Sequence, residues 1–260
     1  MPLSENTKTG NRGAGTSGRV RVANPSENGK GCLKPDGKDM RLRTIHCLKE
    51  VGFSKTCRKG ETLFREGAAA RGLYILISGR VKVSLCSADG RKVIIRIAGR
   101  ESILGLYAAL TGKDYEATAE MLEPGRIVFV PRRNLLELIS RQPWFGGSLV
   151  DVFSHHFSEM VEHARMTMLS ESTLERLARL ILKWGNDFGE RTNRGIRLET
   201  LLTQEEIAQT IGASRETVTR LFSALKRKEI IHVNGDGMLI RNSAALASLA
   251  QLPDLISLSL

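Results

Sequence analysis

The chain has 260 residues and a formal net charge of +11 at pH 7, and only 5% of its residues are aromatic. This length allows two modest domains with separate cores, and the positive charge suits a polyanionic partner without proving one. No apolar stretch approaches the length of a membrane span, and the N-terminus lacks the apolar core of a signal peptide, so we expect a cytoplasmic protein with no membrane partner.

The first half of the chain divides into a polar arm and a β-rich region. Residues 1–40 are rich in Gly, Asn, Ser, Lys and Arg and have no hydrophobic period, which predicts a disordered arm. Over residues 41–143, short β-prone runs alternate with glycines, which favours an antiparallel sandwich or roll over a parallel sheet. The predicted strands are residues 62–64, 73–76, 81–85, 92–97 and 126–130.

Beyond residue 143 the hydrophobic period becomes helical. Apolar side chains recur every three or four residues over 144–169, and the pattern predicts a long helix with a coiled-coil-like seam. The residues predicted to form a dimer along this seam are Leu149, Phe153, Phe157, Met160 and Ala164. Packing on the chain's own β-region is the alternative, and one helix can do both on different faces. The opposite side, which we expect to face solvent, carries His155, Glu159, Glu162 and Arg165.

Residues 170–245 carry the most specific pattern, a helix-turn-helix over residues 204–223. Thr203 and Glu206 have the spacing of a capping box, and Ser214 is a suitable N-cap for a second helix. Ala208 is small enough for two helices to cross closely, and Gly212 is free to take the positive φ of the turn. The alternative without a DNA-binding role is an ordinary amphipathic helical hairpin whose charged face is only solvated.

The second helix is followed by a predicted β-hairpin, which together make a winged helix. Two β-prone runs, at residues 230–233 and 238–240, flank the turn sequence Asn-Gly-Asp-Gly. The outer face of the second helix carries side chains that suit the donor and acceptor edges of the DNA major groove. These predicted base contacts are Arg215, Glu216, Thr219 and Arg220.

A glycine-punctuated roll, a long helix and a C-terminal winged helix, in that order, resemble the Crp/Fnr family of bacterial transcription regulators. The roll segments that carry the resemblance are GETLFREG at residues 60–67, ISGRV at 77–81 and LGLYAALTG at 104–112. The resemblance implies an α+β fold: a cyclic-nucleotide-binding-like antiparallel β-roll, a long dimerisation helix and a C-terminal winged helix-turn-helix, with residues 246–260 left as a tail. It also implies a homodimer that binds double-stranded DNA and contacts RNA polymerase.

The chain departs from the cAMP-binding members of the family at their ligand residues. Those members carry an acid after the glycine that matches Gly105 and an Arg-Ser pair further on, whereas this chain has Leu106 and then Tyr115-Glu116. A carboxylate facing a cyclic phosphate is repulsive in a pocket of low dielectric. We therefore expect an effector-type pocket at these four residues without cAMP chemistry, and no cofactor. Arg96, Tyr115 and Glu116 could surround another small ligand, or Glu116 could form a salt bridge within the roll.

The family's oxygen-sensing branch binds an iron–sulfur cluster through three closely spaced N-terminal cysteines and one in the roll. This chain has Cys32, Cys47, Cys57 and Cys86, whose spacing is much wider, so four independent thiols are the favoured interpretation and no metal site is predicted. A redox switch, or an Fnr-like cluster formed after the arm folds back, remains an alternative. A haem site at His155-His156 is not expected, because adjacent helical residues point about 100° apart.

The resemblance also implies how the DNA is read. Arg215, Glu216 and Arg220 match the base readers of the cAMP-sensing branch, which predicts an inverted repeat with TGTGA-like half-sites. The residues expected to contact phosphates are Thr203, Gln204, Ser214 and Thr217. A sensor that acts through protein contacts is a further alternative. An enzyme is not expected, because the sequence shows no nucleophile with its base, no metal-ligand spacing and no phosphate loop before a helix.

Overall fold

The computed structural model describes residues 37–169, 172–199, 202–235 and 237–251. Helix α1 (Gly37–Glu50) begins inside the last four residues of the predicted arm, and its Ile45 and Leu48 are buried against the β-region. The rest of that arm, Cys32 and the end of the predicted tail lie outside the described residues. No helix within the described ranges is long and apolar enough to cross a membrane.

The predicted antiparallel β-roll is present, as two four-stranded sheets. One sheet has the order β1-β8-β3-β6 and the other β2-β7-β4-β5, and each described pair is antiparallel. The strands are β1 (Phe53–Cys57), β2 (Thr62–Phe64), β3 (Gly72–Ser78), β4 (Val81–Cys86), β5 (Lys92–Ala98), β6 (Ile103–Leu104), β7 (Thr118–Met121) and β8 (Gly125–Pro131). Helix α2 (Leu106–Thr111) lies between β6 and β7.

All five strands predicted for this region occur, and the structure adds β1, β6 and β7 to them. Strand β1 has the sequence FSKTC, and four of its five residues are exposed, so it shows no alternation of apolar and polar residues. It exists because it pairs with β8 over its whole length, from Phe53 opposite Phe129 to Cys57 opposite Gly125. Such edge strands are formed by their partner and not by their own hydrophobic pattern.

Helix α3 (Arg132–Arg141) and the long helix α4 (Pro143–Leu169) follow the roll. The first turns of α4 pack on the roll, where Phe145, Leu149 and Val152 join a buried cluster that includes Leu73 and Ile75 of β3. The long helix thus uses its N-terminal half to close the roll, as one of the two alternatives for this helix supposed.

The C-terminal part of the chain is a winged helix-turn-helix. Its elements are α5 (Thr173–Phe188), β9 (Glu190–Thr192), β10 (Gly195–Glu199), α6 (Gln204–Ile211), α7 (Arg215–Arg227), β11 (Ile231–Asn234), β12 (Gly237–Ile240) and α8 (Ser243–Leu249). The strands form an antiparallel sheet of order β11-β12-β10-β9. Helix α8 buries Leu246 and Ala247 in the core of this domain, so the domain continues past the expected boundary at residue 245.

Candidate DNA-binding site and effector-type roll

The helix-turn-helix has the local structure that its sequence predicts. The hydroxyl of Thr203 accepts from the backbone N–H of Glu206 at 3.2 Å, and the Glu206 carboxylate accepts from the backbone N–H of Thr203 at 2.9 Å. This confirms the capping box. Gly212 ends α6 with φ 63°, and the Ser214 hydroxyl caps α7 by accepting from the N–H of Thr217 at 3.2 Å.

An apolar contact between α6, α7 and α5 holds the turn in place. Ala208 is buried where the helices cross, as are Ile207 and Ile211 on α6 and Val218 on α7. Phe222 on α7 is also buried there. Because this buried contact holds one side of α7 against α5 and α6, the opposite side of α7 faces outward.

The four predicted base-contact residues all lie on that outward face and are exposed. Hydrogen bonds from its own backbone N–H and from Ser214 lower the pKa of Glu216, so this residue is a carboxylate and a hydrogen-bond acceptor at neutral pH. Thr219 differs from the others, because its hydroxyl lies within hydrogen-bonding distance of the Gln204 side-chain oxygen and of the Arg215 carbonyl and shares its one proton between them. Its hydroxyl proton is thus occupied within the protein, and Thr219 ties α7 to the start of α6.

The predicted phosphate contacts gather at two helix N-termini. Thr203 and Gln204 are exposed at the start of α6, and Ser214 and Thr217 lie at the start of α7. Unsatisfied N–H groups and the helix dipole make such positions favourable for phosphate oxygens. The hairpin β11–β12 lies beyond α7 as the wing, with Asn234 opposite Gly237 at its tip.

The long helix α4 exposes an apolar face beyond the part that packs on the roll. Leu149 is buried in the chain's own core, but Phe153, Phe157, Met160 and Ala164 are exposed, and Phe157 is 57% exposed. Val150, Val161, Met168 and Leu169 are exposed as well. A contiguous apolar surface of this kind marks an interaction site.

The interior of the roll is filled by its own aromatic side chains at the predicted effector pocket. The Tyr115 ring is 4% exposed and stacks on Phe64 with 4.2 Å between ring centroids, and its hydroxyl donates to the Gly72 carbonyl at 2.6 Å. Burial raises the pKa of Tyr115 to about 12. Gly105 has φ 70°, and a Cβ there would lie 2.7 Å from the Tyr115 ring. Gly105 is therefore needed both for its backbone conformation and for its lack of a side chain.

The remaining candidate ligand residues do not join Tyr115. Leu106 is buried in the core beneath α2, and Glu116 is exposed on the roll surface. Arg96 on β5 faces the long helix instead, where its Nε lies 3.3 Å from a carboxylate oxygen of Glu159. Glu159 is therefore partly covered by β5. This corrects the expectation that its side of α4 simply faces solvent. The sequence could not show this, because the Arg96–Glu159 ion pair joins residues that are far apart along the chain.

The three cysteines within the described residues lie in different environments. Cys57 is buried in the roll, Cys47 is partly buried and Cys86 is exposed, and burial raises the pKa of the Cys47 and Cys57 thiols. Over the described residues, no three His, Cys, Asp or Glu side chains are grouped to hold a metal ion. The His155 and His156 rings are tilted by 43° with centroids 6.5 Å apart.

Comparisons with known proteins agree with this architecture. The family model of the cyclic nucleotide-binding domain matches residues 54–142, and that of the Crp-like helix-turn-helix domain matches residues 175–249. A CRP-like cAMP-activated global transcriptional regulator from Mycobacterium tuberculosis is 30% identical over 78% of this chain and 89% of its own length. The anaerobic regulatory protein of Bacillus subtilis is 23% identical over 80% of this chain and 88% of its own length.

The solved structure of FixK2 from Bradyrhizobium japonicum has the same fold, with a TM-score of 0.69 and 20% identity over 76% of this chain and 97% of that one. The two family models occur in the order roll then helix-turn-helix, on the residues where the structure places those domains. Together with the 30% identity to the mycobacterial regulator, this shows that the chain belongs to the Crp/Fnr family of transcription regulators.

Proposed function

We propose that this chain is a homodimeric transcription regulator that binds an inverted DNA repeat with TGTGA-like half-sites and does not depend on cAMP. One observation carries the proposal. Arg215, Glu216 and Arg220 stand exposed on one face of α7, and the buried contact of that helix with α5 and α6 fixes the face outward.

The chemistry of these three side chains suits G·C-containing half-sites. An arginine can donate two hydrogen bonds to the O6 and N7 of a guanine, and a carboxylate can accept from the N4 amine of a cytosine. Thr203, Gln204, Ser214 and Thr217 would position the domain on the phosphates without reading sequence. Thr219 supports the reading face, because its hydroxyl is already bonded to Gln204.

The exposed apolar face of α4 supports a dimer. Burying Phe153, Phe157 and Met160 against the same residues of a second copy would remove this surface from water, and a two-fold arrangement is the commonest way for identical chains to do so. Two α7 helices related by that axis would enter successive major grooves about 34 Å apart, which requires an inverted repeat. Through such a site the dimer would act on RNA polymerase.

The filled roll interior supports independence from cAMP. Leu106 has no acceptor for a ribose hydroxyl, and the Tyr115 ring stacks on Phe64 inside the roll. The cAMP-activated mycobacterial relative is therefore a guide to the fold and the family, and we assign its ligand to that protein alone.

Fluorescence anisotropy of the purified chain tests the proposal. At physiological salt and without cAMP, the dimer should bind an inverted TGTGA repeat and discriminate against a scrambled duplex. Arg220→Ala should lose about 1–3 kcal/mol of binding free energy and relax one base position. The matched control is Arg133→Ala on α3, an exposed arginine of the roll, which should bind like the unmodified chain.

Two results would contradict the proposal. Equal binding of the repeat and the scrambled duplex by the unmodified chain would remove the assigned half-site. An Arg220→Ala variant that weakens binding to every sequence equally would make Arg220 a phosphate contact and not a base reader.

A further inference from the structure

A single lysine joins the roll to the winged helix. The Nζ atom of Lys82 on β4 lies 3.1 Å from an oxygen of Glu120 on β7 and 2.7 Å from an oxygen of Glu206 on α6. Lys82 and Glu120 face each other in the β4–β7 register, so this pair belongs to the roll. Glu206 is 124 positions away in sequence and belongs to the DNA-binding domain. The ammonium group therefore bridges one carboxylate from each domain.

The bridge is well shielded for an ion pair. The side chains of Lys82, Glu206 and Glu120 are 18%, 17% and 29% exposed. Burial by itself lowers the pKa of a lysine, but the hydrogen bonds to Glu206 and Glu120 outweigh it, and the pKa of Lys82 is raised. Burial works the other way on Glu206, yet its bonds to Lys82 and Thr203 hold its pKa below the usual value. Lys82 and Glu206 are therefore both charged at neutral pH.

Glu206 links Lys82 to the start of α6 on the predicted DNA-binding surface. One of its oxygens accepts from Lys82, and the other accepts from the backbone N–H of Thr203 at 2.9 Å and from its hydroxyl at 3.1 Å. Gln204, which follows Thr203 in the chain, accepts a hydrogen bond from Thr219 on α7. Lys82 is thus linked through one carboxylate to the capping box of α6 and, one residue further, to the reading helix.

A second charged contact with the winged helix, from Arg80 just before β4, is looser. Arg80 lies over the Phe188 ring at 4.9 Å and its Nη2 is 3.9 Å from Glu199, whose side chain is 72% exposed. Neither contact constrains the relative orientation of its two side chains as closely as the 2.7 Å hydrogen bond between Lys82 and Glu206 does. Leu122 and Ile97 of the roll also pack against the core of the winged helix, but of these charged contacts between the two domains the one with a hydrogen-bond distance is that of Lys82.

We infer that Lys82 is a positioning residue, which holds the winged helix at a fixed angle to the roll and so selects the spacing of the two half-sites that the dimer accepts. The inference rests on the proposed function, because spacing has meaning only for a dimer on an inverted repeat. Two rigidly held α7 helices match one separation along the duplex, and loosely held ones match several.

Selection of bound duplexes from a pool with a randomised central region tests the inference and the proposed function separately. The enriched half-site reports on the reading helix, and the distribution of distances between half-sites reports on its position. The unmodified chain should enrich one half-site at one spacing. Lys82→Met should enrich the same half-site over several spacings and should bind the best-spaced duplex roughly five- to twentyfold more weakly, as expected for losing one ion pair in each subunit.

Three further variants separate positioning from general damage. Lys82→Arg should keep the single spacing, because the guanidinium can still reach both carboxylates. Glu206→Gln retains a capping-box side chain but loses the charge that holds Lys82, so it should broaden the spacing like Lys82→Met. Lys113→Met, an exposed lysine elsewhere on the roll, should behave like the unmodified chain.

The outcomes are distinct. A single unchanged spacing for Lys82→Met, with equal affinity, would overturn the inference and leave the proposed function intact. Loss of affinity with an unchanged single spacing would also overturn it, because Lys82 would then contribute stability or charge and no angle. If the unmodified chain enriches no paired half-site, the proposed function fails and the inference fails with it.

Discussion

Removing one oxygen from the roll interior should destabilise the roll measurably. Tyr115→Phe preserves the ring that stacks on Phe64 but deletes the hydroxyl that donates to the Gly72 carbonyl at 2.6 Å. Both residues are buried, so the carbonyl loses a partner that water cannot easily replace. A buried acceptor left in this way costs about 1–3 kcal/mol. The melting temperature should therefore fall by about 2–4 °C for each kcal/mol lost.

Thermal and urea unfolding would measure this cost, with Tyr107→Phe as the control because Tyr107 is partly exposed on α2. The pH dependence gives a second readout. The folded state holds the Tyr115 proton up to a pKa of about 12, whereas the unfolded chain releases it near the usual value, so stability falls as the pH rises through that interval. Tyr115→Phe should lack this alkaline loss. An unchanged free energy of unfolding together with an unchanged alkaline profile would refute the reasoning.

Three other predictions concern the turn, the long helix and the partly buried His156. Gly212→Ala meets no atom within 4 Å, but the φ of 63° should cost about 1 kcal/mol of unfolding free energy, seen in urea titrations. Phe157→Glu should convert the dimer to a monomer in sedimentation velocity, because a charge would have to be buried with the exposed apolar face. Burial, with Arg96 nearby, lowers the pKa of His156 to about 3. The unfolded chain binds this proton at higher pH, so stability should decrease as the pH falls below the ordinary histidine value, and His156→Gln should flatten that decrease in melting temperature against pH.

Each of these has a clear contrary result. A Gly212→Ala variant as stable as the unmodified chain would mean that the turn does not require a left-handed residue. A Phe157→Glu variant that stays dimeric would move the interface to another surface. Parallel acid profiles for the unmodified chain and His156→Gln would show that other groups control acid stability.

Short-range signals in the sequence were sufficient for the helix-turn-helix. The capping box joins Thr203 to Glu206 three residues later, and the Gly212 turn depends on the conformation of a single residue. Such features involve neighbours along the chain, so the residue types reveal them. The same holds for the wing hairpin and for the five strands that form β-prone runs separated by glycines. The exposure of Arg215, Glu216 and Arg220 also followed from helical spacing once the buried side of α7 was known, and their contact with bases stays a prediction.

Elements without a pattern of their own could not be predicted in this way. Strand β1 is polar and exposed, and β6 contains only two residues, so both depend on hydrogen bonds to strands far away in sequence. Helices α1 and α8 were not predicted, and the arm and tail boundaries at residues 40 and 246 cut through them, since their short apolar sets have a role only against a core formed by other segments.

The sequence by itself therefore determined the order of the roll, the long helix and the helix-turn-helix and, by resemblance, the family, and it predicted which face of α7 reads DNA, because these depend on motifs and spacing along the chain. Only the tertiary structure decided that Tyr115 fills the roll interior, that Arg96 turns to Glu159 on α4, and that Lys82 reaches Glu206. These contacts join residues from about 40 to more than 120 positions apart. Their geometry depends on how sheets and helices pack, and no local pattern of residue types encodes that packing.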